Sequence, residues 1–183
     1  VCAFVVTATA ASLYEYTPEE LSGVEQPIAF NHQIHAGAIA DGNLGMQCLY
    51  CHGPAERGWS ATVPPVSTCL GCHVHIKVGR TEGSAEEIAK IHEFADKDES
   101  IPWIRIHKLP DYVQFKHMRH VNAGVQCQEC HGQVQDMKRV YLVPQMQITK
   151  RSLYTPSQKL EMGWCMECHL QRGAPDDCAA CHY

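Results

Sequence analysis

Ten of the eleven cysteines in this chain fall into five C-x-x-C-H units: Cys48–Cys51–His52, Cys69–Cys72–His73, Cys127–Cys130–His131, Cys165–Cys168–His169 and Cys178–Cys181–His182. The spacing sets the chemistry. Two thiols three residues apart share one turn, where each can form a thioether with a vinyl group of the same porphyrin. The histidine that follows is then held beneath the iron as its proximal ligand. Five such units predict five heme c groups. Paired C-x-x-C units can instead hold zinc, and a lone one can be a thioredoxin-like redox pair. Neither use requires a histidine directly after the second cysteine, and all five units have one. Cys2, the unpaired cysteine, reads as an incidental apolar residue.

Twelve histidines less the five proximal ones leave seven: His32, His35, His75, His92, His107, His117 and His120. Four of them repeat a pattern, Phe30-x-His32-x-x-His35 and Phe115-x-His117-x-x-His120. On a helix, side chains at i and i+3 share a face about 5–6 Å apart. One iron that already holds a proximal histidine cannot accept both, so each pair is expected to serve two different haems as distal ligands, with the phenylalanine packed near a porphyrin. One iron is then left for a thioether. Met137 follows the third unit as Gly132-x-Val134-x-x-Met137 and is the expected distal methionine. Met162, three residues before Cys165, and His107 stand behind it, whereas His75 and His92 sit in no motif. Methionine beside a porphyrin can also be plain gap-filling.

These residues must be positioned by short elements. The fold class expected is mainly α and irregular, a multihaem cytochrome c arrangement in which haems take the place of a side-chain core. Gly45-Met46-Gln47-Cys48-x-x-Cys51-His52-Gly53 is mirrored by Gly124-Val125-Gln126-Cys127-x-x-Cys130-His131-Gly132, and each copy follows its own Phe-x-His-x-x-His unit. The chain therefore reads as two related modules, about 28–78 and 101–183, the second carrying one extra haem. Between them Ser84-x-x-Glu87 predicts a capping box opening an amphipathic packing helix with Ile88, Ile91 and Phe94 on one face. A shorter helix is expected from Thr155-Pro156 through Trp164, and Val140–Val143 is the one plausible strand. Val1–Ser12 are apolar almost throughout but too few to span a bilayer, which takes about 20; they read as the outer end of a transmembrane anchor at residues 1–14 or as the remnant of a signal-peptide apolar segment.

Composition narrows the class. A net charge of −5 and a pI near 6.2 leave no basic footprint for nucleic acid. Disulfide scaffolds are usually shorter and do not gather histidine in step with cysteine. Thioether attachment takes place after export, which points to the outer side of a membrane.

At the level of whole segments the chain resembles the pentahaem cytochrome subunit of alternative complex III. The likeness rests on Gln26-Pro27-Ile28-x-Phe30-x-His32-x-x-His35-Ala36-Gly37, on Trp103 through His120 with Leu109-Pro110-Asp111-x-Val113-x-Phe115, on Met162-Gly163-Trp164-Cys165, and on the closing Cys178-x-x-Cys181-His182-Tyr183. The resemblance implies a bacterial quinol:electron-acceptor oxidoreductase. In it this subunit has an N-terminal membrane helix, and its haem domain lies on the periplasmic face of the inner membrane. Its partners there are an iron–sulfur subunit, quinol-binding membrane subunits and a monohaem cytochrome.

Three functions compete: an electron wire, a multihaem reductase of a small oxyanion, and a free low-potential shuttle cytochrome. Reductases often mark the catalytic haem by replacing its proximal histidine, and all five positions here are histidine. Candidate sixth ligands also outnumber the irons, so an open site would need special arrangement. The wire, with no catalytic residues of its own, is the expectation. The shuttle would need neither the apolar N-terminus nor fixed partners.

Overall fold

The structure, a computed structural model, describes residues 23–141 and 162–182. The anchor expected at residues 1–14 lies outside them, as do positions 155–161 of the predicted fourth-site helix. No described helix is long and apolar enough to cross a membrane.

Eight short helices carry the described chain: α1 His32–Ala36, α2 Cys48–His52, α3 Val66–His73, α4 Ser84–Asp96, α5 His117–Asn122, α6 Cys127–His131, α7 Met162–Arg172 and α8 Cys178–Cys181. Three 3-10 turns join them, at Ile39–Asp41, Gly53–Glu56 and Val134–Asp136. The architecture is helical and irregular, as expected. The predicted strand does not form among the described residues: Val140 and Tyr141 are irregular, and positions 142–143 lie outside. With no partner strand in the described chain there is no ladder to hold one. The only extended pairing described is an isolated antiparallel bridge between Val113 and His182.

Helix α4 is the longest element with a conventional apolar face. Ile88 and Ile91 are buried, and Ile91 joins Ile28 and Ile101 in a small core against which Val66, Leu70, Phe94 and Trp103 pack. Each isoleucine buried this way contributes about 1.5–3 kcal/mol. The capping box predicted at its start is absent. Gly83 occupies the N-cap in the left-handed conformation (φ +73°), and Ser84 is the first helical residue. The Ser84 hydroxyl accepts the Gly79 N–H at 2.9 Å, while the Glu87 carboxylate accepts the Ala29 N–H at 2.8 Å and pairs with Lys90 at 2.6 Å. A donor just upstream at Gly79 and a distant one at Ala29 have taken the two side chains from the cap. The box forms instead at Gln126 and Glu129, ahead of α6.

Burial works against the charge on Glu87, but the hydrogen bonds from Lys90 and Ala29 outweigh it and hold the carboxyl below the ordinary glutamate range. Its contribution is therefore complete at neutral pH and lost as pH falls through that lowered value. Glu87→Ala should cost about 1–2 kcal/mol, seen as a lower urea midpoint at unchanged slope. The difference from wild type should vanish in acid. An unchanged midpoint at pH 7 removes this tie.

The two repeats fold alike in detail. Asn31 and Lys116, which stand at equivalent positions, accept Nδ1–H of His35 at 2.8 Å and of His120 at 3.1 Å through their carbonyls. Met46 N–H donates to the His35 carbonyl at 2.9 Å, and Val125 N–H to the His120 carbonyl at 3.1 Å. Gly45 and Gly124 both turn the chain into its attachment helix in the left-handed region, at φ +63° and +78°. A side chain at Gly45 would also meet Ile39 at 2.6 Å.

The contacts between repeats are reciprocal. Helix α1 packs on the Val134–Asp136 turn that follows α6, and α5 packs on the Gly53–Glu56 turn that follows α2. Gln33 N–H donates to the Met137 carbonyl at 3.1 Å, and Met118 N–H donates to the Gly58 carbonyl at 3.1 Å. These are the same bond made twice. Gln33 and Met118 are equivalent positions of the histidine helices, as Gly58 and Met137 are of the segments after attachment. Lys116 sits over the Trp59 ring at 4.3 Å on the second of these contacts.

Candidate functional site

Each C-x-x-C-H unit lies on a helix, so its two thiols stand one turn apart on one face. The ten cysteines are unpaired as thiols. No group of three or more His, Cys, Asp or Glu among the described residues is arranged to hold a bare metal ion.

The histidines show what the units hold. Two imidazoles on opposite sides of one iron, each with a bond of about 2 Å, place their ring centres roughly 6.3 Å apart. His35 and His73 are 6.2 Å apart between ring centres, His117 and His131 6.4 Å, and His120 and His169 6.1 Å. His117 and His131 are also nearly parallel, at 6°. His32 feels the charge of His52, which adds to the effect of burial on its ring. Three of the four histidines of the repeated pairs, His35, His117 and His120, thus each face a different histidine of a C-x-x-C-H unit.

Tautomers agree with this. A histidine whose Nδ1–H donates to a backbone carbonyl keeps its Nε2 lone pair free for a metal. His52 donates to Thr62 at 2.7 Å, His73 to Ile76 at 3.0 Å, His169 to Pro175 at 2.5 Å and His182 to Tyr112 at 3.3 Å. Among the distal set, His117 donates to Trp59 at 2.9 Å, alongside the bonds of His35 and His120 described above. Thr62 presents its carbonyl from a left-handed backbone (φ +53°), a conformation costly for a β-branched residue, of order 1–3 kcal/mol. Burial, reinforced by neighbouring imidazoles, pushes His32 and His107 down to about 4 and His131 to about 3. They are neutral at physiological pH, as ligands must be.

The phenylalanines have a closer role than expected. Phe30 meets His32 edge-on at 4.8 Å and stacks on His35 at 4.5 Å, and Phe115 treats His117 and His120 the same way at 4.8 and 4.4 Å. Each ring is a wedge that sets the orientation of both imidazoles of its pair.

The remaining candidates are placed elsewhere. His92 lies on α4 with its Nε2–H donating to the His73 carbonyl at 2.9 Å, so it braces the second unit. His107 meets His131 edge-on at 4.4 Å, too close to stand across an iron from it, and its Nε2 is buried without a partner. His75 is exposed just past His73. Met137 is 4% exposed and packs against Cys130 of the third unit. Met162 is exposed at the start of α7, one turn before Cys165.

Burial and neighbouring thiols also raise several of the cysteines. Burial pushes Cys130 up to about 11, with Cys168, Glu129 and Cys165 adding to it. Burial and the Cys69 thiol raise Cys51, burial and Cys48 raise Cys127, and burial and Cys181 raise Cys165.

These residues fit covalently attached haem: paired thiols, an imidazole that could lie beneath the iron, and at three units a second imidazole about 6 Å across from it. Haem bound there supplies one-electron redox chemistry. The chain's own part is attachment, orientation and the surroundings that tune potential.

Comparison with known proteins agrees. Residues 113–183 match the family described as cytochrome c7 and related cytochrome c. The chain is also 27% identical over 182 residues to the multihaem cytochrome c subunit of menaquinone reductase from Nitratidesulfovibrio vulgaris strain Hildenborough, covering 90% of this chain and 80% of that one. The C-terminal part of the chain thus carries a cytochrome c7-type match, and the chain is related at 27% identity to the multihaem cytochrome c subunit of a menaquinone reductase.

Proposed function

We propose that the chain carries five c-type haems and serves as the electron wire of a membrane quinone-linked complex, with its haem domain on the extracytoplasmic side. The observation that carries the reading is the opposition of histidines. His35, His117 and His120 each face a different proximal histidine, and His32 feels the charge of a fourth, His52, which leaves four irons six-coordinate and closed to substrate. The fifth iron takes a methionine. Met162 stands exposed one turn before Cys165 on α7, whereas Met137 is buried at Cys130 of the third unit. Met162 is assigned to the fifth iron. Thioether ligation sets that haem at a higher potential than its bis-histidine neighbours.

Partners follow from the relative and from the resemblance to alternative complex III: quinone-binding membrane subunits, an iron–sulfur subunit and a monohaem cytochrome, with the apolar residues 1–14 ending a membrane anchor. In this reading quinol in the membrane subunits reduces the wire, which passes electrons to a periplasmic acceptor, and the subunit is not itself an enzyme. The name of the relative favours the opposite direction, with the wire feeding menaquinone. Anaerobic mixing of the purified complex with menaquinol decides between them. Haem reduction within a turnover supports quinol oxidation. Haems that menaquinol leaves oxidised, but that menaquinone oxidises once reduced, establish the reverse flow.

A further inference from the structure

The reciprocal packing of the repeats dictates how the sites are strung together. In a contact related by a two-fold axis, element a of one copy meets b of the other and b meets a, and a residue that touches its own counterpart lies on the axis. The first condition holds in the paired bonds Gln33 to Met137 and Met118 to Gly58. The second holds for Cys48 with Cys127, equivalent residues whose thiols lie within hydrogen-bonding reach of each other. The first and third sites therefore flank a pseudo-two-fold axis. From each of them an i, i+3 histidine pair leads outward: His32 and His35 on α1 from the first site to the second, His117 and His120 on α5 from the third to the fourth. Glu129 of α6 also pairs with Arg172 at the end of α7, tying the third site to the fourth. Only eight positions lie between His169 and Cys178, and the His169 Nδ1–H donates to the Pro175 carbonyl in that short connection, which holds the fifth site beside the fourth.

We propose that the five haem sites form one unbranched line in the order second, first, third, fourth, fifth. The sequence order is inverted in the first module because the axis runs between the first and third sites. The inference rests on the five-haem reading above. It makes the Cys69–His73 site and the Cys178–His182 site the two ends of the wire, where exchange with partners takes place. The central transfer crosses the contact between repeats, at Cys48 and Cys127.

His117→Met in the full protein raises the potential of the third-site haem. Its charge state then differs during the titration of its neighbours, and charge interactions weaken with distance. In a redox titration that resolves each haem by its methyl NMR signals, the first-site and fourth-site haems shift while the second-site and fifth-site haems stay at their wild-type positions. A second-site haem that shifts as far as the first-site haem overturns the order. His35→Met gives the complementary measurement should His117→Met fail to assemble: beyond the haem it ligates, only the first-site haem shifts, and a shift at the third site overturns the order. Mass measurement comes before either titration. Fewer than five haems on the wild-type chain sinks the underlying reading, whereas five haems with the wrong couplings sink the order alone.

Discussion

Denatured wild-type protein keeps five haems, and a Cys127→Ser/Cys130→Ser double variant keeps four and loses its tertiary structure. Retention follows from covalent chemistry, since thioethers persist when the fold does not. The structural loss follows from how little else there is to hold the chain. Only Ile28, Ala55, Ile88, Ile91, Ile101 and Met137 are buried apolar residues among those described; Ile28, Ile91 and Ile101 form one small cluster by α4, and Met137 centres another. A side-chain core of that size does not sustain a chain of 183 residues. On the proposed five-haem reading the porphyrins make up the core, and the third lies where the two repeats meet. Intact mass gives the haem count, and limited proteolysis with urea unfolding gives the structure. Four haems on the wild-type chain, or zinc in elemental analysis, ends the central claim. A double variant that unfolds with the wild-type midpoint removes the third haem from its structural role.

Reduced wild-type protein binds almost no carbon monoxide, His120→Ala binds one equivalent, and Met162→Ala binds one equivalent at a different haem. An iron with two strong axial ligands has no free position, and removing one imidazole or thioether creates it. His120 is a clean case, because its ring stands 6.1 Å from His169 and donates its Nδ1–H to the Lys116 carbonyl, so no second group is poised to replace it. Stoichiometric binding by the wild type would show an open iron and favour a reductase. A Met162→Ala protein that remains closed while Met137→Ala opens would return the fifth iron to Met137.

The cysteine and histidine pattern determined the chemistry by itself. Attachment of haem needs two thiols at fixed separation and a histidine next in line, all on one turn, so the local sequence contains the whole requirement. The i, i+3 spacing of His32 with His35 and of His117 with His120 likewise required two irons per pair before any fold was known, because one helix face cannot point both rings at one metal. Helix α4 was legible through its apolar face at Ile88, Ile91 and Phe94. Its capping box was not, because Ala29, a distant donor, and Gly79, just upstream, took the side chains of Glu87 and Ser84.

Tertiary structure decided what depends on bringing separate segments together. The carbonyls that orient the imidazoles belong to Thr62, Ile76, Trp59, Pro175 and Tyr112, and every residue type carries a carbonyl, so no sequence signal marks them. His92 and His107 looked like spare ligands until the fold placed one on the His73 carbonyl and the other edge-on to His131. The adjacency of the sites was equally hidden. A repeated sequence states that two modules are alike, but not whether they stack head to tail or face each other. Only the reciprocal bonds of Gln33 and Met118 show that they face, which makes Cys48 and Cys127 neighbours although 79 positions separate them.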